Sequence, residues 1–178
     1  MKNNTQIQKL VLAASLTAVS VVIDAFFRII LNIQGFGLPF YAIPLIIGGI
    51  VLGPLYAGIM GFVGDAIGIF MTGGTYMPFF VIAAILWGVI PGLLLHKKFN
   101  LFKLAWVILL TYLLASTSNT IAMLIYWPRE ITVAWFVLRM TLIPFNSIII
   151  FILVKDTHKK LIPFFERYST LKEKVKAS

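Results

Sequence analysis

The chain has 178 residues, 60% of them hydrophobic and only 12% charged, with a mean hydropathy of +0.98. A water-soluble domain of this size carries about a quarter charged residues, so the composition excludes one and points to an integral membrane protein. The net charge of +9 is spread between apolar runs rather than along one recognition element, which argues against nucleic acid, and the lack of cysteine excludes disulfides and thiolate chemistry.

In chain order, the first apolar run extends from Leu10 to Leu31, longer than the core of a signal peptide, and further runs follow it. It is therefore read as a first helix that is kept. A spanning helix needs about 20 mostly apolar residues. By that measure the sequence predicts six spans, at roughly 8–31, 40–55, 55–72, 77–95, 101–126 and 132–154. The second and third meet at Gly53-Pro54, where proline disfavours helical geometry in the residue before it. "HKKFNLFK" (96–103) is a basic loop, and a basic, partly amphipathic tail runs from about 155.

Of the 15 Lys and Arg residues, only Arg28, Arg129 and Arg139 lie off one set of loops and ends. That asymmetry follows the positive-inside rule, and six spans then place both termini in the cytoplasm. The external connections become "NIQGFGLPF" (32–40), "TGGTY" (72–76) and "WPREI" (127–131). The expectation is an all-α, multi-pass membrane bundle of six transmembrane helices, with residues 1–178 forming one domain and no separate soluble part.

Depth follows from a helical rise of about 1.5 Å per residue. Asp24, Asp65, Asn119 and Arg139 each fall about 10 Å inside the outer end of their spans, and Arg28 lies one turn from Asp24. Nothing comparable occupies the inner half. The polar groups could simply satisfy one another, Asp24 with Arg28 and Asp65 with Arg139, as interhelical polar bonds do in many bundles. As a set they suggest a pocket open to the outside, because intramembrane ionisable residues are rare and mark sites. A through-going ion path would need polar groups in the inner half as well.

Ala57, Gly61 and Gly64, with Gly58 and Gly68 nearby, give the third span a small-residue face for close helix packing. Ala14 and Ala18 form a second flat patch on the first span, suited to packing within the bundle or to docking another membrane protein. Phe36, Phe40, Tyr41, Tyr76, Phe79, Phe80, Tyr126 and Trp127 cluster at the outer ends. Such aromatics anchor helices at the interface, and in a site they stack on a planar ring. The chain has no phosphate-binding Gly-rich loop ending in Gly-Lys-Ser/Thr, no His-Glu-x-x-His helix and no Gly-x-Ser-x-Gly elbow. Its two histidines, His96 and His158, fall on the basic side and are expected to be solvated. No catalytic residue, metal site or cofactor is therefore expected.

Several stretches together resemble the substrate-binding S-components of energy-coupling factor (ECF) vitamin transporters, closest to the folate subfamily. They are "GPLYAGIMGFVGD", "TGGTYMPFFVIAAILWG", the Asn119-Thr120 pair followed by Arg139, and the Ala14-x-x-x-Ala18 pair. The resemblance covers nearly the whole chain. It implies a subunit, not itself an enzyme, that captures a vitamin from outside and reorients against a transmembrane coupling protein. ATP would be hydrolysed by two partner ATPase subunits. The implied ligand-binding set is Arg28, Phe36, Phe40, Asp65, Tyr76, Phe80, Asn119, Trp127 and Arg139, with Ala14 and Ala18 facing the coupling protein. The folate pattern carries an arginine in the segment that leads into the second helix, where "GLPFYAIPL" has none. Pantothenate, a pyridoxine-type ring or hydroxymethylpyrimidine are thus alternative ligands. A small stand-alone carrier or channel and a ligand-free accessory subunit are the alternatives from other classes.

Overall fold

The computed structural model describes the backbone of residues 2–30, 38–73 and 75–177, and the side chains of 6–27, 29, 38–71, 73 and 75–161. Regular structure among the described residues is entirely helical. The elements are α1 (Lys2–Ala25), α2 (Ala42–Leu52), α3 (Pro54–Thr72), α4 (Val81–Leu95), α5 (Leu101–Tyr126) and α6 (Arg129–Ala177). A π-helical turn, Phe26–Ile30, continues α1, and a 3-10 turn, Pro78–Phe80, leads into α4. Five helical stretches are long and apolar enough to cross a membrane, and Ala42–Leu52 is a shorter apolar helix. With this composition the chain is a membrane protein.

The breaks have local causes. Pro44 stands in the first turn of α2, where no intrahelical bond needs its missing N–H. Gly53 then ends α2 at φ 93°, a conformation that costs other residues strain, and Pro54 opens α3 at the position that tolerates it. The carbonyl of Ile50, left over at the end of α2, lies 2.8 Å from His96 Nδ1. A carbonyl can only accept, so Nδ1 carries the proton. His96 is exposed, as expected, yet it also ties the end of α4 to α2. Asn100 caps α5, its side chain accepting a hydrogen bond from Phe102 N at 2.9 Å.

Short α2 forms the middle of the bundle, in contact with α1, α3, α4 and α6. Nine of its eleven residues are buried, which explains an unbroken apolar sequence with no polar face. Leu45 and Ile46 join Trp87, Leu95, Leu104, Ile108, Ile150 and Val154 in the core. The small-residue face of the third span is packing surface. A β-carbon on Gly61 would come within 2.5 Å of the Ala84 carbonyl oxygen, and one on Gly88 within 2.5 Å of the Ala57 carbonyl oxygen. Backbones of α3 and α4 touch directly there, as membrane helices lacking a hydrophobic drive to associate require.

Hydroxyls within these apolar helices bond backward along their own turn. Thr17 Oγ1 donates to the Ala13 carbonyl at 2.8 Å, Thr111 Oγ1 to Val107 at 2.7 Å and Thr120 Oγ1 to Ser116 at 2.8 Å. That keeps each polar atom satisfied without water. Beyond the expected span of 132–154, α6 continues as one helix to Ala177. One expectation is corrected. His158 is not solvated: it is buried, its ring stacked on Phe99 with centroids 3.8 Å apart.

Candidate ligand-binding site

On α1 the buried residues Ala13, Thr17, Ser20 and Val21 recur at helical spacing and turn one stripe inward. Gly64 of α3 meets Thr17 and Val21 on that stripe, so the two helices run close together. One turn further along, the side chains spread and leave a cleft of about 260 Å³, counting the space at its mouth. Its walls include Ser20 and Asp24 from α1, Tyr41 from the start of α2, Gly61, Gly64 and Asp65 from α3, and Ala84 from α4. Two carboxylates, Asp24 and Asp65, therefore face one small space. Asp24 reaches it across Gly68, where an added β-carbon would stand 2.9 Å from Asp24 Oδ2. Ser20 Oγ donates to the Tyr41 carbonyl at 2.7 Å, fixing the start of α2 against α1.

Tyr41 joins this cleft to a second polar group. Arg139 on α6 is only 9% exposed, and the groups acting on it electrostatically are Tyr41 and Tyr112. Its Nη1 is buried with no hydrogen-bond partner among the described residues. Tyr112 is fixed from two sides. Asn146 Nδ2 donates to its hydroxyl oxygen at 2.9 Å, and the Trp87 ring meets it edge-on at 5.4 Å. Tyr41 thus lines the cleft that holds both carboxylates and also interacts electrostatically with the Arg139 guanidinium. A buried, incompletely satisfied guanidinium is expensive, and a bound anion or acceptor would offset that cost.

A third group is aromatic. Phe80 stacks on Tyr126 at 6.2 Å with a 20° interplanar angle and meets Trp127 at 5.5 Å, while Phe79 lies 6.1 Å from Tyr126. These contacts join the 3-10 turn before α4 to the far end of α5. Phe40 packs on Phe27 at 5.1 Å, beside the start of α2.

The residues singled out from sequence fall into these groups unevenly. Asp65 lines the cleft, Arg139 interacts electrostatically with Tyr41, and Phe80 and Trp127 share the aromatic cluster. Tyr76 is exposed on the stretch before the 3-10 turn, and Asn119 is half-buried on α5. Phe36 and the side chain of Arg28 lie outside the described residues. Ala14 and Ala18 are both exposed, on the α1 face away from the buried stripe. Sequence reasoning missed Ser20, Tyr112 and Asn146. Ser20 shares a helix face with Asp24 by its four-residue spacing, and Asn146 lies seven residues beyond Arg139, two turns along the same face. Those spacings were the available signal. Tyr112, inside an apolar run, carried none.

Comparison with known proteins agrees with this architecture. Residues 8–159 match the family described as "ECF transporter, substrate-specific component". A curated relative, the folate transporter FolT of Clostridium novyi (strain NT), is 33% identical over 124 residues, covering 66% of this chain and 69% of the relative. Among solved structures, the crystal structure of FolT bound with folic acid superposes with a TM-score of 0.67 at 27% identity. It covers 83% of this chain and 94% of the other. A family match across most of the sequence, on a bundle of helices long and apolar enough to cross a membrane, establishes that the chain belongs to the substrate-specific components of ECF transporters.

Proposed function

We propose that this chain binds folate, or a close pterin relative, on the outer side of the membrane and delivers it inward as the capture subunit of an ECF importer. The observation that carries this reading is the buried Arg139 guanidinium, which interacts electrostatically with Tyr41, a residue lining a cleft with Asp24 and Asp65. Folate is a ligand of two characters: an aminopterin edge that donates hydrogen bonds, and a glutamate with two carboxylates. Carboxylates suit the first and a guanidinium suits the second. The FolT relatives named above carry folate or folic acid in their own descriptions, which supports the same choice.

The cleft supplies polar groups for one end of the ligand, whose remainder would reach toward the aromatic cluster of Phe79, Phe80, Tyr126 and Trp127. Asp65 is then an acceptor for the ring, and the aromatics supply stacking surface.

In this reading all six helices cross the bilayer, short α2 included, and both termini are cytoplasmic, as the distribution of lysines favours. Ala14 and Ala18 form the flat surface that meets the transmembrane coupling protein, and two ATPase subunits supply the energy. No residue of this chain performs chemistry on the ligand.

The experiment is thermal unfolding of the purified chain in detergent against folate, pantothenate, pyridoxine and hydroxymethylpyrimidine. A ligand at a hundredfold its dissociation constant stabilises the fold by about 2.7 kcal/mol. A shift with folate alone supports the assignment. A shift with another vitamin keeps the capture mechanism and replaces the ligand. No shift with any of them in a folded sample removes folate capture.

A further inference from the structure

At the end of the bundle away from the cleft, two helices change character at the same level. On α5, Phe102 is 74% exposed and Trp106 60% exposed, and their rings meet edge-on at 6.5 Å. On α6, Ile152 and Leu153 are exposed apolar residues. Immediately beyond these come lysines: Lys97, Lys98 and Lys103 on one side, Lys155, Lys159 and Lys160 on the other, all exposed. Asp156 is the single acid within 96–103 and 155–160, and it stands one turn from Lys160.

The two sets are held together rather than adjacent by chance. Phe99, between Lys98 and the start of α5, stacks on buried His158, between Lys155 and Lys159. Below that contact Leu104 of α5 and Val154 of α6 are both fully buried in the core. Exposed tryptophan next to lysine is the pattern of a helix crossing from hydrocarbon into headgroups, with the ring at the boundary and the ammonium among the phosphates. Trp106 lies three residues inside Lys103, about 4.5 Å along the axis. That pattern puts the lysines where the phosphates of a bilayer would lie.

We infer that the rim formed by Lys98, Lys103, Lys155 and Lys159 is a binding site for the phosphate of an anionic phospholipid headgroup, its acyl chains lying along Phe102, Trp106 and Ile152. Charge complementarity selects the headgroup, and the exposed apolar residues directly beneath select a lipid over a soluble anion. This site is separate from the ligand cleft and does not depend on which vitamin the cleft holds.

The test uses the full chain in zwitterionic detergent, titrated with short-chain phosphatidylglycerol, short-chain phosphatidylcholine or inorganic phosphate while the unfolding midpoint is followed. Phosphatidylglycerol is expected to bind at least about tenfold more tightly than phosphatidylcholine at low salt. That preference should shrink when salt is raised to about 0.5 M. The combined Lys98→Gln, Lys103→Gln, Lys155→Gln and Lys159→Gln variant should lose it, and the matching four-fold Lys→Arg variant should keep it. If the four-fold Gln variant does not fold, Lys155→Gln with Lys159→Gln replaces it and should lower the preference severalfold. Equal binding of the two lipids overturns the inference. So does full retention by the Gln variants, or inorganic phosphate stabilising as strongly as phosphatidylglycerol.

Discussion

The carboxylate of Asp24 lies across the bare backbone of Gly68, so close that a β-carbon there would stand 2.9 Å from Oδ2. This contact joins α1 to α3 beside the cleft, and it makes a glycine in a membrane helix part of the site rather than of the packing alone. In Gly68→Ala two effects oppose each other. Alanine gains about 1 kcal/mol of helix propensity over glycine, while the carboxylate must shift by a few tenths of an ångström. The unliganded midpoint should therefore stay within a few degrees of the parent or rise. Ligand affinity should fall severalfold as Asp24 is displaced. Unchanged affinity, measured by titration calorimetry, would remove Asp24 from the site.

Asp65 faces the same cleft from α3. A hydrogen bond to a charged group contributes about 1.5–3 kcal/mol, so Asp65→Asn should weaken vitamin binding by roughly tenfold to a hundredfold. Asparagine keeps the shape and can still accept one bond, so expression and monodispersity in detergent should persist. A variant that binds normally would make Asp65 a structural residue.

Much of this architecture was legible in the sequence because membrane crossing imposes length and hydropathy together. The helical segments, the Gly53-Pro54 break and the role of Gly61 as a packing glycine all follow from local rules. Contacts distant in sequence did not. His158 is titratable and lies in a basic stretch, which suggests solvation, yet Phe99, just before α5, covers it. The end of α6 was equally hidden, since an amphipathic tail can continue a helix without the apolar run that marks a span. Asp24 and Asp65 were each visible as anomalies, but their convergence on one cleft depends on α1 and α3 meeting through Thr17, Val21 and Gly64. The pairing of Tyr112 with Asn146 spans 34 residues and two helices, beyond the reach of any periodicity.

Arg139 offers a sharper separation of binding from folding. Replacing a buried charge by an apolar side chain of similar volume is often neutral or stabilising, because the desolvation cost vanishes with the charge. Arg139→Met should hold or raise the unliganded midpoint and lower folate affinity at least about tenfold, the measure of one lost charge-assisted contact. A methyl diester of folate, lacking both carboxylate charges, should lose far less between parent and variant. Collapse of the unliganded protein would instead assign Arg139 to the fold.

The α3–α4 contact makes the opposite prediction, a loss of fold irrespective of ligand. A β-carbon on Gly88 would meet the Ala57 carbonyl oxygen at 2.5 Å, and backbone cannot rotate away as a side chain can. Overpacking costs about 1–3 kcal/mol. Gly88→Val should lower the unfolding midpoint by several degrees and broaden the elution profile in detergent. Gly73→Ala serves as the contrast in space but not in conformation. Nothing lies within 4 Å of its β-position, and its φ of 66° means that its smaller loss would come from backbone strain.

Ala14 and Ala18 test the division of labour. Both are exposed, while Ala13 and Thr17 beside them are buried, so a large side chain at 14 or 18 points away from the bundle and leaves the core intact. Ala14→Trp with Ala18→Trp should bind vitamin with unchanged affinity and unfold at the parent temperature. Small-residue helix interfaces depend on close backbone approach, so the same variant should fail to associate with the coupling protein and should abolish uptake in cells that express the whole transporter. Normal uptake would place the coupling surface elsewhere on the chain. Loss of vitamin binding in the isolated subunit would mean that the outer face of α1 supports the cleft as well, through the helix that carries Ser20 and Asp24.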